Sequence, residues 1–333
     1  MADPARSQSM SLTEKVKAEP VFSPITPLIA QIFSDNHSWE ATLSAKRVRT
    51  MIATGDIIPA RSVNFQVLSH QDFKWPYLKT ADVTKKADIT FVNLETPLTS
   101  KCQPTQEGMV FCGNARNVEG LVYAGINVAS LANNHAGNYG AEGVQETVNL
   151  LTQNNILVTG VNGPTVKNVR GIKFAFLGYD DITKPQPGIS NVEEEKIKAE
   201  IADARKQAEV VIVTFHWGVE YRDQPDDRQK YLGHLAIDSG ADLVIGNHPH
   251  WIQPIEIYKA KLITYAHGNF VFDQMWSQKT REGVIGKYTF YDNQLIDVEF
   301  LPVQINDYGQ PYFIEDTQKK SILDHMKTES LRL

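Results

Sequence analysis

The sequence predicts an α/β protein in one compact unit, with an antiparallel portion toward its C-terminus. Three observations predict it. Between about residues 48 and 245, short continuous apolar runs alternate with amphipathic stretches, the pattern of buried parallel strands joined by helices. Between 252 and 305, strand-like runs follow one another across short turns, with no helices between them. Several of the apolar runs also end in residues able to bind metal or act on a phosphate. MIATGD ends at Asp56, ITFVNLE at Asn93 and Glu95, and VASLANNH at Asn133, Asn134 and His135. VVIVTFHWG brings His216, and LVIGNHPH brings His248 and His250. Ligand sites in open α/β sheets gather beyond the carboxyl ends of the strands, so these clusters point to one shared site.

The elements follow in order. Residues 1–45 are polar with scattered Pro and Ser, a tail or surface arm with at most a short helix around 27–33. Order is expected from Val48. Strands are predicted at 49–54, 89–93 and 128–131, with helices at 75–85, 117–124 and 140–153. In the last helix Val144, Val148 and Leu151 form an apolar face. Short strands are expected at 156–159 and 172–178. A helix over 192–208 carries its stripe on Ile197, Ile201, Ala204 and Ala208. Glu193, Glu194 and Glu195 crowd its first turn, where the helix dipole favours anions. A strand at 210–215, a helix at 227–239 stopped by Gly240 and a strand at 243–245 complete the alternating part. Strands at 252–258, 262–266, 284–291 and 295–305 make the antiparallel portion, and 306–333 form a C-terminal extension.

The chain has 333 residues, enough for a sizeable core, and its 42% apolar and 22% charged content is that of an ordinary globular protein. A net charge of −6 argues against a general nucleic-acid binder. No run approaches the ~18 apolar residues of a membrane span, and the N-terminus has no signal-peptide core. The chain is either cytoplasmic or a form from which a signal or anchor has been removed. Cys102 and Cys112 lie in a polar loop with Pro and Gly. They are a disulfide if the protein is exported, worth roughly 3 kcal/mol in the chain-entropy account, and two free thiols if it is not.

Each strand-end residue also has an ordinary structural explanation. Asp56 and Glu95 could cap helices, the Asn-rich turn could supply left-handed geometry, and His216 could be structural. Their joint occurrence at strand ends favours a divalent transition-metal centre, binuclear by ligand count. His248-Pro249-His250 is the sharpest part, because residues two apart on an extended backbone point the same way. His37, His70, His234 and His325 lie in polar or helical surroundings and are expected to be surface or structural. Beside His267, Asn269 is the expected near-site residue.

The ordered series GDIIPAR, NLETPL, SLANNHAGNYG, HWGVEY, GNHPHWIQP and HGNFVFDQ, closing with TREG, resembles the bacterial capsule-synthesis protein CapA family, from about residue 49 to 300. That family includes the PgsA component of poly-γ-glutamate synthesis and is similar to calcineurin-like metallophosphoesterases. The resemblance implies a four-layer α/β/β/α sandwich over residues 46–305, with mixed sheets and two divalent ions (Mn, Fe or Zn) between them. It implies metal ligands at Asp56, Glu95, Asn134, His216, His248 and His250, with Glu95 bridging, and a proton donor at His135. Arg61, Asn93, Asn269 and Arg281 would face the substrate. Two departures stand out. The superfamily's histidine two residues after the first aspartate is here Ile58, and an aspartate common three residues after the NNH histidine is here Asn138.

Two functions are implied. One is a metal-dependent hydrolase acting on a phosphoester or on an anionic polymer through amide hydrolysis or transfer. The other is a non-enzymatic binding subunit beside membrane-embedded polymer-synthesis subunits. An extracytoplasmic place, at the cell surface or in the periplasm, goes with either.

Overall fold

Alternation within the strands decides the architecture. Met51 and Ala53 of the strand Val48–Ala53 point to one face and Ile52 to the other; the strand Ile89–Asn93 divides Phe91 from Val92 in the same way. In Val210–His216, Val210 and Ile212 face one side, Val211 and Val213 the other. Met51, Ala53 and Phe91 meet Phe176, Val210, Ile212 and Ile245 in one apolar cluster. This cluster is the interface of two stacked sheets, and Phe91 stacks on Phe176 across it at 5.9 Å. The outer faces are covered by helices. Val63, Leu121, Val144 and Leu151 cover the first sheet, and Ile197, Ile201, Ala204, Leu232 and Ala236 the second. The result is a four-layer α/β/β/α sandwich, seen in the computed structural model of the chain, which describes residues 27–333.

The first sheet has seven strands. Its parallel half runs Val48–Ala53, Ile89–Asn93, Val128–Ser130 and Leu157–Thr159. On the other side Glu282–Tyr291 pairs antiparallel with Val48–Ala53, followed by Gln294–Asn306 and Gln310–Phe313. The second sheet has six strands. Ile172–Asp180, Val210–His216, Leu243–Asn247 and Lys261–Thr264 are parallel, with Thr165–Val169 and Ile255–Tyr258 antiparallel at the edges. The C-terminal hairpins therefore do not form a layer of their own. One extends each sheet.

One local expectation changes, and two helices are added to those expected. The helix expected over 75–85 is two short pieces, a 3-10 turn at Trp75–Tyr77 and a helix at Ala81–Thr84. Pro76 can sit in a first turn but cannot donate the bond that would continue one. The helix Arg61–His70 escaped notice because only Val63, Val67 and Leu68 mark its apolar side, and it ends on Gln71 at φ 53° instead of on a glycine. The last residues carry a real helix, Asp316–Ser330, which buries Ile322 and Met326 against the intersheet cluster. The expected tail lies outside the described residues up to 26; beyond it a single turn, Ile29–Ile32, covers Phe300 through Phe33.

That arm is pinned by His37, whose Nδ1 lies 2.7 Å from Asp297 Oδ2. The hydrogen bond to Asp297 raises the His37 pKa, against the opposing effect of burial. The sign follows from linkage. A histidine with a raised folded pKa contributes stability that is full below its unfolded value, about 6.5, and is lost as pH rises through the folded value. His37→Ala is therefore expected to lower the melting temperature more at pH 5.5 than at pH 9. Equal losses at both pH values would show that the ion pair carries no weight.

Candidate metal centre

The carboxyl ends of the parallel strands in both sheets converge on one place. Asp56 starts a two-residue strand that pairs with Asn269–Val271 immediately after Val48–Ala53. Glu95 follows Ile89–Asn93, and Asn134 and His135 follow Val128–Ser130. From the second sheet, His216 closes Val210–His216, and His248 and His250 follow Leu243–Asn247. Gly246 lets this last strand pass, since a Cβ there would lie 2.0 Å from the Tyr265 carbonyl oxygen. His248 and His250 have φ of 99° and 57°, conformations that L-residues adopt at a cost of order 1–3 kcal/mol. Two ligand-type residues held in such geometry in one loop mark it as a place built for position.

The polar atoms crowd together. His216 Nε2 lies 2.9 Å from Asn134 Oδ1, 3.1 Å from His248 Nδ1 and 3.5 Å from Glu95 Oε1. One imidazole nitrogen cannot serve three such partners with one proton or one lone pair. Glu95 is fully buried and its Oε1 accepts no hydrogen bond. Asp56 is better served. Its Oδ1 accepts from the Asn93 and Asn247 amides at 2.8 and 2.9 Å, and its Oδ2 lies 3.2 Å from His250 Nδ1. Ligand atoms of Glu95, His216 and His248 lie within 4.8 Å of one another, as do those of Asp56, Glu95 and His250, and those of Glu220, His248 and His250.

Electrostatics tell the same story. Burial, then the charge of Asp56, pushes Glu95 well above the usual carboxylate range. Burial pushes His216 down to about 4 and His248 well below its ordinary value, so both present neutral lone pairs. His250 is the exception. Burial opposes its charge, but Glu95 and Asp56 outweigh burial and raise it to about 9. Asp56 is pulled below its ordinary value although burial opposes this, because His250 hydrogen-bonds it and adds its charge. His250 thus supplies the one positive charge between two buried carboxylates. An orphaned carboxylate oxygen and neutral imidazoles converging on one point fit a divalent ion, which would displace the His250 proton.

The other expected residues are placed as follows. His135 stands beside the cluster, stacked on Phe111 at 4.0 Å between ring centres, with Nδ1 3.0 Å from Asn138 Oδ1. Asn93 is buried, and its amide holds Asp56 and approaches His216 Nδ1 at 3.3 Å. Asn269 Oδ1 lies 2.8 Å from His250 Nδ1. Arg61 is paired with Asp273 and lies over the Phe111 and Phe272 rings. Arg281 reaches the Ile305 carbonyl and Asn306, both at 3.4 Å. Neither guanidinium contacts the ligand cluster. Ile58 is fully buried among Ala60, Phe111 and Phe272. His267 lies in the core against Tyr288, 3.0 Å from its hydroxyl. Cys102 and Cys112 are joined in a disulfide that closes the loop carrying Phe111. The sequence reading missed Asn247, the second amide on Asp56, and Glu220. Both sit within four residues of a histidine already singled out, which was the available signal.

A four-layer sandwich with a carboxylate–histidine cluster at the strand ends of both sheets defines a protein of metallophosphoesterase-like fold with a candidate metal centre. Residues 50–274 match the family described as bacterial capsule synthesis protein PGA_cap, and the chain belongs to that family. It is similar to the capsule biosynthesis protein CapA of Bacillus anthracis, 30% identical over 284 residues that cover 79% of this chain and 68% of the relative. It is also similar to the PGA biosynthesis protein CapA of Bacillus subtilis, 28% identical with 88% and 83% covered. Among solved structures, a hypothetical protein from Thermus thermophilus shares the fold at a TM-score of 0.51 and 15% identity, covering 80% of this chain and 99% of that one.

Proposed function

We propose that this chain is a metal-dependent hydrolase of a capsule or poly-γ-glutamate synthesis system, working on a phosphoester or on the anionic polymer itself. The observation that carries this reading is the convergence of Glu95 Oε1, Asn134 Oδ1 and His248 Nδ1 on His216 Nε2. Asp56, Glu95 and His250 would hold one ion, and Glu95, Asn134, His216 and His248 a second, with Mn, Fe or Zn suited to this mixture of imidazole and oxygen. A pair of such ions supplies Lewis acidity and an activated water at neutral pH. The chain's own residues do the rest. Asn93 and Asn247 fix the Asp56 carboxylate, Asn269 orients the His250 ring, and Phe111 walls His135 from solvent. His135 is the group beside the centre that could pass a proton to a leaving oxygen.

One observation favours a second reading, a binding subunit without turnover. Both candidate substrate arginines are engaged elsewhere, Arg61 by Asp273 and Arg281 by the 305–306 backbone and side chain. The deciding experiment is an assay of protein purified without chelator and loaded with Mn or Zn. A phosphodiester, a phosphomonoester and γ-glutamyl peptides are offered in turn. Turnover of any of them, abolished by chelator, is expected. No turnover at full metal occupancy overturns the hydrolase and leaves the binding subunit, working beside membrane-embedded synthesis subunits.

We also propose an extracytoplasmic location, supported by the Cys102–Cys112 bridge, since such bonds persist in oxidising compartments. Among the described residues no helix is long and apolar enough to cross a membrane. Alkylation of thiols in intact cells, before lysis, should label neither cysteine; labelling of both would reject that location.

A further inference from the structure

Asp56, Glu95 and His250 would give one ion three side-chain donors, which leaves a fourth position to water or to a further ligand. The position that could have added a histidine is occupied by Ile58, packed in an apolar cluster with Phe111 and Phe272. No polar atom can come from there.

Another residue comes close. After His216 the ladder runs one residue further, Trp217 N donating to the Asn247 carbonyl at 3.1 Å. The chain then turns sharply at Gly218, where φ is 82° and a Cβ would meet the Gln229 side chain at 2.5 Å. Tyr221, at φ 60°, donates its backbone N–H to the Pro249 carbonyl at 2.8 Å. This bond fastens the turn directly onto the His248-Pro249-His250 loop. Between these anchors lie Val219, which is exposed, and Glu220. The Glu220 carboxylate lies within 4.8 Å of ligand atoms of both His248 and His250. These are the two histidines that belong, one each, to the other two ligand groups. No lysine or arginine among the described residues forms an ion pair with Glu220. A carboxylate fixed against two imidazoles, with no lysine or arginine paired to it, is placed to share a cation with them.

We infer that Glu220 is a metal ligand of this centre, a further carboxylate on the ion of Asp56, Glu95 and His250, whose His250 it shares. The inference rests on the metal reading given above. Glu220 is half-exposed whereas Glu95 is buried, so Glu220 ligates from the side of the centre nearer solvent.

The test is Mn2+ binding to the full chain after chelator treatment, followed by the EPR signal of free Mn2+ and by calorimetry. Wild type is expected to take up two ions. Glu220→Gln is expected to keep one at the wild-type Kd and to bind the other at least ~10-fold more weakly. Glu220→Asp should fall between them. His216→Ala should weaken the opposite site. If Glu220→Gln binds Mn2+ with the wild-type count and affinities, the inference is overturned and the metal reading stands. If wild type binds no Mn2+, both fall together. Thermal melting in excess chelator provides the remaining check. Glu220→Gln is expected to melt with wild type there, and a lower melting temperature would assign Glu220 a structural role instead.

Discussion

Adding Mn2+ to chelator-treated protein is expected to raise its melting temperature by several degrees, and Glu95→Gln is expected to cancel most of that rise. An ion that binds only the folded chain stabilises it by about 2.7 kcal/mol when present at 100 times its Kd. Glu95 is where the effect concentrates, because its buried Oε1 has no hydrogen-bond partner and its charge lies beside that of Asp56. The sign reverses in chelator. A carboxyl whose folded pKa is raised contributes its full share of stability only below its unfolded value, about 4.3, and loses it as pH rises through the folded value. Glutamine carries no charge to desolvate. Glu95→Gln should therefore melt higher than wild type in chelator, with the advantage larger at pH 8 than at pH 5, and lower than wild type in saturating Mn2+. Paired melting scans at the two pH values decide it. A variant destabilised equally with and without metal would mean that Glu95 holds no ion.

His135→Ala should keep its metal and, to the extent that His135 donates the proton, lose turnover, with about 10²–10⁴-fold as the full worth of a general acid. The wild-type histidine itself is poorly set for that role. Burial pushes it down to about 4, so at neutral pH it is uncharged and holds a single ring proton. Asn138 Oδ1 receives the Phe111 N–H at 2.6 Å, which identifies it as the acceptor, and it lies 3.0 Å from His135 Nδ1. The ring proton therefore sits on Nδ1, and Nε2 carries a lone pair. Asn138→Asp places a carboxylate where the amide now stands, accepting the same backbone N–H and favouring the imidazolium. It is expected to raise turnover near pH 7 and move the histidine limb of the pH–rate profile upward. If His135→Ala costs nothing and Asn138→Asp leaves the profile in place, His135 only walls the site.

The strand-end residues were legible because parallel strands are both apolar and short, so the polar residue that ends each run stands out against it. Asp56, Glu95, Asn134, His216, His248 and His250 all come together in this way. What the sequence hid was direction. Arg61 and Arg281 carry the right chemistry for an anionic substrate, but nothing in their neighbourhoods announces that Asp273, 212 residues away, takes the first, or that the last strand takes the second. Glu220 was hidden for a related reason. It ends no strand, and only the turn at Gly218 and the Tyr221–Pro249 bond bring it back. In the fold, the layers follow from alternation in the strands. The helix Arg61–His70 did not show, since its apolar side is too narrow to register in a polar stretch.

Asp56, Glu95 and Asn134 come from one sheet, while His216, His248 and His250 come from the other, and the Asp56–His248 contact spans 192 residues of chain. A cation held there is a rivet through both leaves of the sandwich. No half of the chain owns a complete site, and no early folding stage can assemble one, because the two leaves must first dock and bury Phe91 against Phe176. Metal capture at such a site would come last in assembly, and an ion in place would certify that the whole molecule has closed.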